Sequence, residues 1–382
     1  MAEIKELEVN SVFYSSEQLP NGIQMPIDSI GTYIQAIEQS GIETENNDLF
    51  NNDSNNSGFG ENNLKKDPRS ILSPNDVHEK MRRKIGSYLF YRGESRKNKA
   101  TIPTIFRSRK ENDTRKYLYK NEKKMYQKML SISPELHKEN FSIFDKLAIM
   151  QHHGVPTRLL DLTSNPFDAL FFAVSGNDDN DGFVQIFKPY PNADSSVNKI
   201  NYPYDNKVSI LSALSLLSFK EQCAVVNDCK NLEGEDQDIL KGDRLSNGSK
   251  KLYSILKREN AGFEERIKIN DLFNPLIVIP NGIDSRILSQ KAAFLLMGLS
   301  KGMSQENTPQ KLIKSINEKI MEYRVGIHGD VSEKSLPVRF LIKKKYKEII
   351  RTELNLIGIN AGSVYTDMNN KIVALKDLFY EN

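Results

Sequence analysis

The stretch FDKLAIMQHHGVPTRLLDLTSNPFDALFFAVSG, Phe144–Gly176, decides how the rest of the chain is arranged. Ser142, two residues before this stretch, and Asp145, its second residue, have the spacing of a capping box. This spacing predicts a helix that begins there. Gly154 stands where a left-handed residue closes such a helix, and the proline that follows prevents its continuation. We therefore predict a short helix followed by a strand over Thr157–Thr163.

A second helix is predicted immediately after that strand. Asn165 is a good N-cap, and Pro166 suits the first helical position because its missing N–H would have no intrahelical partner. The run Ala169–Val174 is apolar on nearly all sides, so this helix is predicted to be buried.

Polar side chains lie between these two apolar helices. Burying them without partners costs a few kcal/mol each, about 1–3 in proteins, so they must pair or face a cleft. One interpretation is an internal Arg158–Asp161 ion pair, and the other is a cleft wall where the helix from Pro166 aims its N-terminus at an anion. The spacing favours neither. The polar residues are Gln151, His152, His153, Thr157, Arg158, Asp161, Thr163 and Ser164.

Composition narrows the class of protein. The chain has 382 residues, and its net charge of +3 arises from 53 basic and 50 acidic residues, so no global field recruits nucleic acid. The two cysteines, Cys223 and Cys229, suit a reducing cytosol, and no apolar run reaches membrane-spanning length. These features predict a cytoplasmic protein without a membrane partner.

The predicted fold class is α+β, with a mixed central β-sheet flanked by helices. Strands are expected at Ser87–Arg92, Thr157–Thr163, Phe183–Phe187, Leu276–Pro280 and Arg339–Ile342. Further helices are expected at Val77–Lys84, Arg115–Leu130, Val208–Lys220, Ser249–Lys257, Pro309–Tyr323 and Lys343–Ile357. Residues 43–75 are rich in Asn, Asp, Ser and Gly and are predicted to form a flexible insertion.

Separated motifs along the chain resemble those of one known family. The run Q-H-x-G-x-P-T-R-L-L-D-x-T-x-N-P-x-x-A-L-F-F-A, Gln151–Ala173, is similar to the core motif of the FRG domain family. Tyr91-Arg92-Gly93 matches the Phe-Arg-Gly tripeptide that names the family, and Arg286–Phe294 resembles its R-I-x-x-Q-x-G-x-F motif. The resemblance implies an N-terminal segment 1–26, an FRG domain 27–300 that contains the insertion 43–75, and a helical part 301–382 that completes the domain.

Several mechanisms are excluded at the level of motif. The chain has no G-x-x-x-x-G-K-[ST], no H-E-x-x-H and no G-x-S-x-G, and no G-x-G-x-x-G follows a strand. The remaining candidates are similar in order to the strands of ADP-ribosyltransferases: Arg92 first, Thr163-Ser164 before a helix, and Gln290 last. That likeness implies an ADP-ribosyltransferase-like architecture that uses NAD as a substrate.

The implied chemistry distributes roles among these residues. Arg92 would grip the NAD pyrophosphate, hydroxyls would orient the nicotinamide ribose, and a carboxylate would stabilise an oxocarbenium-like transition state. Gln290 stands where a Glu is expected, so Asp161 or Glu94 is the candidate carboxylate. The predicted catalytic residues are Arg92, His152, Asp161 and Gln290. The predicted cofactor-binding residues are Arg92, Gly93, Thr157, Arg158, Thr163 and Ser164, with no metal ligand. His153 is assigned to packing, because adjacent helical residues cannot both face the cleft.

The resemblance implies an effector in a bacterial toxin or phage-defence setting, acting as an NAD-dependent ADP-ribosyltransferase or NAD glycohydrolase. Its acceptor would be a protein or a nucleic acid, and a regulatory partner protein is a further expectation. The alternative is a non-catalytic module that recognises a nucleotide or phosphate. A nuclease, in which His152, His153 and Asp161 bind a metal, is the weaker alternative.

Overall fold

The structure is a computed structural model that describes residues 6–9, 12–15, 23–37, 89–96, 101–107, 117–138, 140–189, 200–232, 239–241, 244–281, 291–304, 308–324, 326–327 and 336–365. The predicted insertion 43–75, the predicted helix Val77–Lys84 and most of the third motif, including Gln290, lie outside these residues.

A mixed β-sheet forms the centre of the described structure. Its eight strands are β3 (Ile23–Ile27), β4 (Phe90–Glu94), β5 (Leu159–Thr163), β6 (Gly182–Phe187), β9 (Leu276–Val278), β10 (Ala292–Leu296), β11 (Gly326–Ile327) and β12 (Leu336–Ile342). Two further pairs lie apart from it: β1 (Glu6–Val9) with β2 (Val12–Ser15), and β7 (Ile239–Leu240) with β8 (Ile267–Lys268). The order across the central sheet is β11-β12-β6-β4-β5-β10-β9, with β3 also paired to β12.

The predicted fold class is confirmed. All five predicted strands are present in the sheet, which is mixed because β3 and β12 are parallel while the other pairs are antiparallel. The strand predicted over Thr157–Thr163 begins at Leu159. The hydroxyl of Thr157 accepts the Leu159 N–H, a local bond of the kind that competes with strand pairing.

Eleven helices are described, counting α-helices alone. They are α1 (30–37), α2 (Glu122–Ile132), α3 (Ile143–His152), α4 (Pro166–Val174), α5 (Asn206–Ala213), α6 (Phe219–Leu232), α7 (Asn247–Glu259), α8 (Ile269–Phe273), α9 (Pro309–Met321), α10 (Lys347–Leu356) and α11 (Ala361–Val364). None of the helices in the described ranges is long and apolar enough to cross a membrane.

One predicted helix is wrong in its extent. The segment predicted as Val208–Lys220 is α5 followed by a break, and α6 begins at Phe219. The break has a sequence signal: the Ser218 N–H donates to Glu221, and the Glu221 N–H donates to Ser218. This is the S-x-x-E capping box that starts a new helix.

Helices cover both faces of the sheet. On one face, α1, α4 and α10 bury a cluster that includes Tyr33, Leu170, Ile186, Phe340 and Leu354. On the other side a larger cluster joins β5, β9 and β10 to α2, α3 and α5–α9. Helix α4 is buried in the first of these two clusters. Its position relative to β4 and β6 therefore sets the geometry of the strand ends beside it.

Two glycines let α4 lie directly on the sheet. A Cβ atom at Gly93 of β4 would stand 1.8 Å from the Ala169 carbonyl oxygen, and one at Gly182 of β6 would stand 2.1 Å from that of Ala173. The two alanines are one helical turn apart and face the two glycines. The A-L-F-F-A run and the glycine after Arg92 thus form one close contact between a helix and two strands.

Asp168, in the first turn of α4, gives the protein a pH-dependent stability. Burial raises the pKa of its carboxyl to about 6 from the usual 3.8. The native state therefore binds this proton more tightly than the unfolded chain, so stability falls as pH rises from about 4 to about 6.

We expect Asp168→Asn to raise the free energy of unfolding by about 2 kcal/mol at pH 7.5 and to leave it nearly unchanged at pH 4. Urea titrations at the two pH values measure this difference. Asp179→Asn, at an exposed position, is the matched control. An equal change at both pH values for Asp168→Asn would contradict the prediction.

Candidate functional site

A cleft of about 500 Å³ opens where the end of β4, the strand β5 and the end of α3 meet. Its volume lies within the range of small-molecule sites, about 300–1,000 Å³. The cleft is lined by Tyr91, Arg92, Gly93, Glu94, Ser95, Arg96, Arg107, Ala148, Gln151, His152, Asp161, Leu162, Thr163, Phe172, Ser175, Ala292, Phe294 and Tyr365.

Arg92 lies at the centre of this lining. Its Nε donates to Glu94 Oε1 at 2.9 Å and its Nη1 donates to the Asp161 carbonyl oxygen at 2.8 Å. The Asp161 carboxylate oxygen Oδ2 is 3.8 Å from the same Nη1. The guanidinium therefore both holds β4 against β5 and faces the cleft.

The Asp161 carboxylate projects into the cleft and is fixed by a hydrogen bond from Gln151. Its side chain is 64% exposed, and the Gln151 amide donates to its Oδ1 at 2.6 Å. The Gln151 oxygen in turn accepts the hydroxyl proton of Thr157. A carboxylate this exposed would rotate freely without such a bond.

Two further arginines, Arg96 and Arg107, line the same cleft. The Arg107 Nε donates to the Ile102 carbonyl oxygen at 2.9 Å. Burial lowers the pKa of Arg107, and the neighbouring Arg92 charge lowers it further. Both effects mean that positive charge is crowded and partly desolvated here, which favours an anion in the cleft.

Glu94 serves as a counter-ion for arginines on both sides of it. Behind the cleft, Arg324 and Arg339 are buried. The pKa of Arg324 falls to about 9 because of burial and the Arg339 charge, while Glu94 opposes that shift. Arg92, Arg96 and Arg107 line the cleft with Glu94 and Asp161, and the Glu94 charge also raises the pKa of the buried Arg324 and Arg339 against the effect of burial.

The predicted placement of Arg158 is wrong. Its side chain is fully buried and pairs with Glu122 through Nε–Oε1 at 2.8 Å and Nη2–Oε2 at 2.5 Å. It does not line the cleft, so it is in no position to bind a cofactor there, and it does not pair with Asp161. Arg158 stands one residue before β5, and its side chain extends to Glu122 of α2 instead of into the cleft.

The remaining predicted binding residues divide between the cleft and its surroundings. Gly93 and Thr163 line the cleft. Thr157 is 2% exposed and lies behind Gln151, outside the lining. Ser164 is exposed, donates to the Lys291 carbonyl oxygen at 3.3 Å and is also outside the lining. The structure therefore does not support ligand contacts for Thr157 or Ser164.

The two histidines have different environments. His152 lines the cleft at the end of α3. The prediction that His153 is a packing residue is wrong. Its side chain is 48% exposed and lies 3.4 Å from the Glu135 carboxylate. Gln290 lies outside the described residues, and the strand that follows it contributes Ala292 and Phe294 to the lining.

Helix α4 meets the cleft with its C-terminal end, which contradicts the interpretation in which its N-terminus faces an anion in the cleft. Phe172 and Ser175 line the cleft, while the first turn is capped by Asn165, whose Oδ1 accepts the Phe167 N–H. The buried Lys347 ammonium donates to the carbonyl oxygens of residues 95, 176 and 177 at 2.7, 3.1 and 3.1 Å. Lys347 therefore anchors this end of α4 beside the cleft.

Two aromatic lining residues were not among the predicted site residues. Phe172 and Tyr365 form an aromatic wall, with ring centroids 6.1 Å apart and planes at 69°. Tyr365 is far from the core motif in sequence, so only the tertiary structure brings it to the cleft. Across the described ranges, no group of three or more His, Cys, Asp or Glu side chains is placed to hold a metal ion.

Comparison with known proteins agrees with the motifs. Residues 87–182 match the model of the FRG domain. This span includes Arg92, Arg107, Gln151, His152 and Asp161 of the cleft, whereas β10 and Tyr365 lie beyond it. No curated protein and no solved structure matches the chain. The chain therefore contains an FRG domain, to which residues 87–182 belong.

Proposed function

We propose that the cleft binds NAD and that the protein is an ADP-ribosyltransferase-like enzyme that breaks the bond between nicotinamide and ribose. The observation that carries the proposal is the Asp161 carboxylate, which is held in the cleft by Gln151 with its Oδ2 3.8 Å from Arg92 Nη1. A fixed carboxylate can stabilise the positive charge that develops as a nucleotide glycosidic bond breaks, and the guanidinium beside it can bind a phosphate group.

The arginines support the binding half of the proposal. Arg92, Arg96 and Arg107 share one cleft, and guanidinium groups bind phosphate oxygens through paired hydrogen bonds. The pyrophosphate of NAD would bind these three arginines. Phe172 and Tyr365, on the aromatic wall, offer ring faces against which a base can stack.

Asp161 supports the chemical half. As the C1′–N bond breaks, nicotinamide leaves with the bonding electron pair and positive charge develops on the ribose. The Asp161 carboxylate would stabilise that charge, whereas Glu94 is already bound to Arg92 Nε. Water or an acceptor then forms the new bond to C1′ and loses a proton, for which His152 is the base in the cleft. Gln290 would position a ribose hydroxyl.

A non-catalytic module that recognises a nucleotide or phosphate is the second candidate. It is favoured by the excess of guanidinium groups over carboxylates around the cleft, because binding an anion requires nothing else. The setting implied by the family, a bacterial toxin or a phage-defence effector acting on a protein or nucleic-acid acceptor, belongs to the first proposal.

The two candidates separate in one experiment. We expect the purified protein to release nicotinamide from NAD and to bind ADP-ribose, as measured by chromatography and calorimetry. Asp161→Asn, which keeps the shape and the acceptor for Gln151, is expected to slow release about 100-fold or more while ADP-ribose binding is retained. Arg92→Ala is expected to lose both.

Arg266→Ala and Asp179→Asn, both at exposed positions outside the cleft lining, are the matched controls. Binding without release in the unmodified protein would favour the recognition module. The absence of both binding and release would contradict both candidates.

A further inference from the structure

We infer that Thr157 and Gln151 are positioning residues that set the orientation of the Asp161 carboxylate in the cleft. The catalytic consequence of this inference rests on the proposed function. The orientation itself depends on hydrogen bonds alone and can be measured without any reaction.

The hydroxyl of Thr157 takes part in two hydrogen bonds, one as acceptor and one as donor. Its oxygen already accepts the Leu159 N–H at 3.1 Å, and its proton is donated to Gln151 Oε1. Thr157 is 2% exposed, so water does not compete for the hydroxyl. A buried hydroxyl with both roles assigned fixes the partner that receives its proton.

That proton determines which end of the Gln151 amide faces the cleft. Since Oε1 accepts from Thr157, the NH₂ group must point the other way. It donates to Asp161 Oδ1 at 2.6 Å and to the Leu159 carbonyl oxygen at 3.3 Å. Rotating the amide would place an oxygen against a carboxylate and an NH₂ group against a hydroxyl that already donates to it.

Asp161 is thereby restrained although it is exposed. Oδ1 is held by Gln151, so Oδ2 is the oxygen 3.8 Å from Arg92 Nη1. This leaves Oδ2 as the carboxylate oxygen available to developing charge or to a ligand hydroxyl. The restraint supplies the orientation that a side chain 64% exposed would lack by itself.

The same bonds argue against a direct binding role for either residue. Both amide hydrogens and the oxygen of Gln151 have protein partners. Thr157 is outside the lining of the cleft. Gln151 lines the cleft, but its hydrogen-bonding groups already have protein partners, so we expect both residues to act on a ligand through Asp161.

The catalytic arm of the test compares closely matched substitutions. Thr157→Val removes the hydroxyl at constant shape, and Gln151→Glu replaces the NH₂ donor by an oxygen that repels Asp161. We expect each to lower kcat for nicotinamide release about 10- to 100-fold with KM nearly unchanged. Thr157→Ser, which restores the hydroxyl, is expected to recover most of the rate. Thr101→Val is the control, since Thr101 is 4% exposed and accepts from Gln185 outside this chain of bonds.

The second arm uses no substrate. In protein labelled at glutamine and aspartate, the side-chain NH₂ protons of Gln151 and the carboxyl carbon of Asp161 are followed by NMR. We expect both signals to shift in Thr157→Val and to return in Thr157→Ser, with no shift in Thr101→Val. Unchanged signals in Thr157→Val, or an unchanged kcat in an enzyme that does release nicotinamide, would overturn the inference. If the unmodified protein releases no nicotinamide, the NMR arm still decides the orientation while the proposed reaction fails.

Discussion

Replacing Arg158 by methionine is expected to lower the free energy of unfolding by about 3–5 kcal/mol, because it leaves the buried Glu122 carboxylate without its charge partner. The Arg158 side chain is fully buried and Glu122 is 5% exposed. Arg158 also donates to the Met297 carbonyl oxygen at 3.2 Å and lies 3.5 Å from Gln222 Oε1. The substitution thus removes the centre of a network that joins α2, α6, the residue before β5 and the residue after β10.

Chemical denaturation measures this loss, and a double-mutant cycle isolates its cause. Glu122→Leu alone leaves a buried guanidinium unpaired and is expected to cost a similar amount. The combination of both substitutions is expected to cost less than their sum, because neither charge then remains buried. Arg266→Met, at an exposed position, is the control and should change stability by no more than about 0.5 kcal/mol.

The same variants test what Arg158 does. If the folded double variant binds ADP-ribose as the unmodified protein does, the role of Arg158 is structural. A stability within about 1 kcal/mol of the unmodified protein, together with lost ADP-ribose binding, would contradict this assignment and restore the predicted role in ligand binding.

The second large effect is expected at Gly93. We expect Gly93→Ala to destabilise the protein by about 3 kcal/mol or more, the upper end of the cost of overpacking. The added methyl carbon would stand 1.8 Å from the Ala169 carbonyl oxygen and 2.8 Å from the Ala173 nitrogen. Because these are backbone atoms of α4, no side-chain rotation relieves the overlap, and the helix must move away from β4.

Gly154→Ala is the matched comparison for Gly93→Ala. Gly154 has φ of +80° but nothing within 4 Å of an added Cβ atom, so the expected cost is only the backbone strain, about 1 kcal/mol. Thermal unfolding of the two variants separates crowding from strain. A smaller loss at Gly93 than at Gly154 would show that the contact with α4 does not limit the fold.

Local features of the core motif are readable from the sequence because short-range geometry controls them. Ser142 and Asp145 form the predicted capping box. Gly154 takes the predicted left-handed conformation, and Asn165 caps α4. In each case the partners are within four residues, so the identities of neighbouring side chains suffice.

The cleft was predictable in part. Arg92, His152, Asp161 and Thr163 line it together, because the motifs that contain them end on adjacent strands and on the helix beside them. The direction of Arg158 was not readable from the two-residue period of a strand, because β5 begins one residue after it. Its partner Glu122 was not readable either, since 36 residues separate them and nothing in either local sequence refers to the other.

By itself, the sequence determined the α+β class, the helix–strand–helix order of the core motif and the residues that carry charge. The tertiary structure decided what those residues face. Gly93 lines the cleft and also packs against the backbone of α4. Helix α4 lines the cleft with residues of its C-terminal end. Arg158 is buried while Arg96 and Arg107 line the cleft. The physical reason is that local preferences depend on bonds within a turn, whereas burial and charge pairing depend on which surfaces meet when the sheet is assembled.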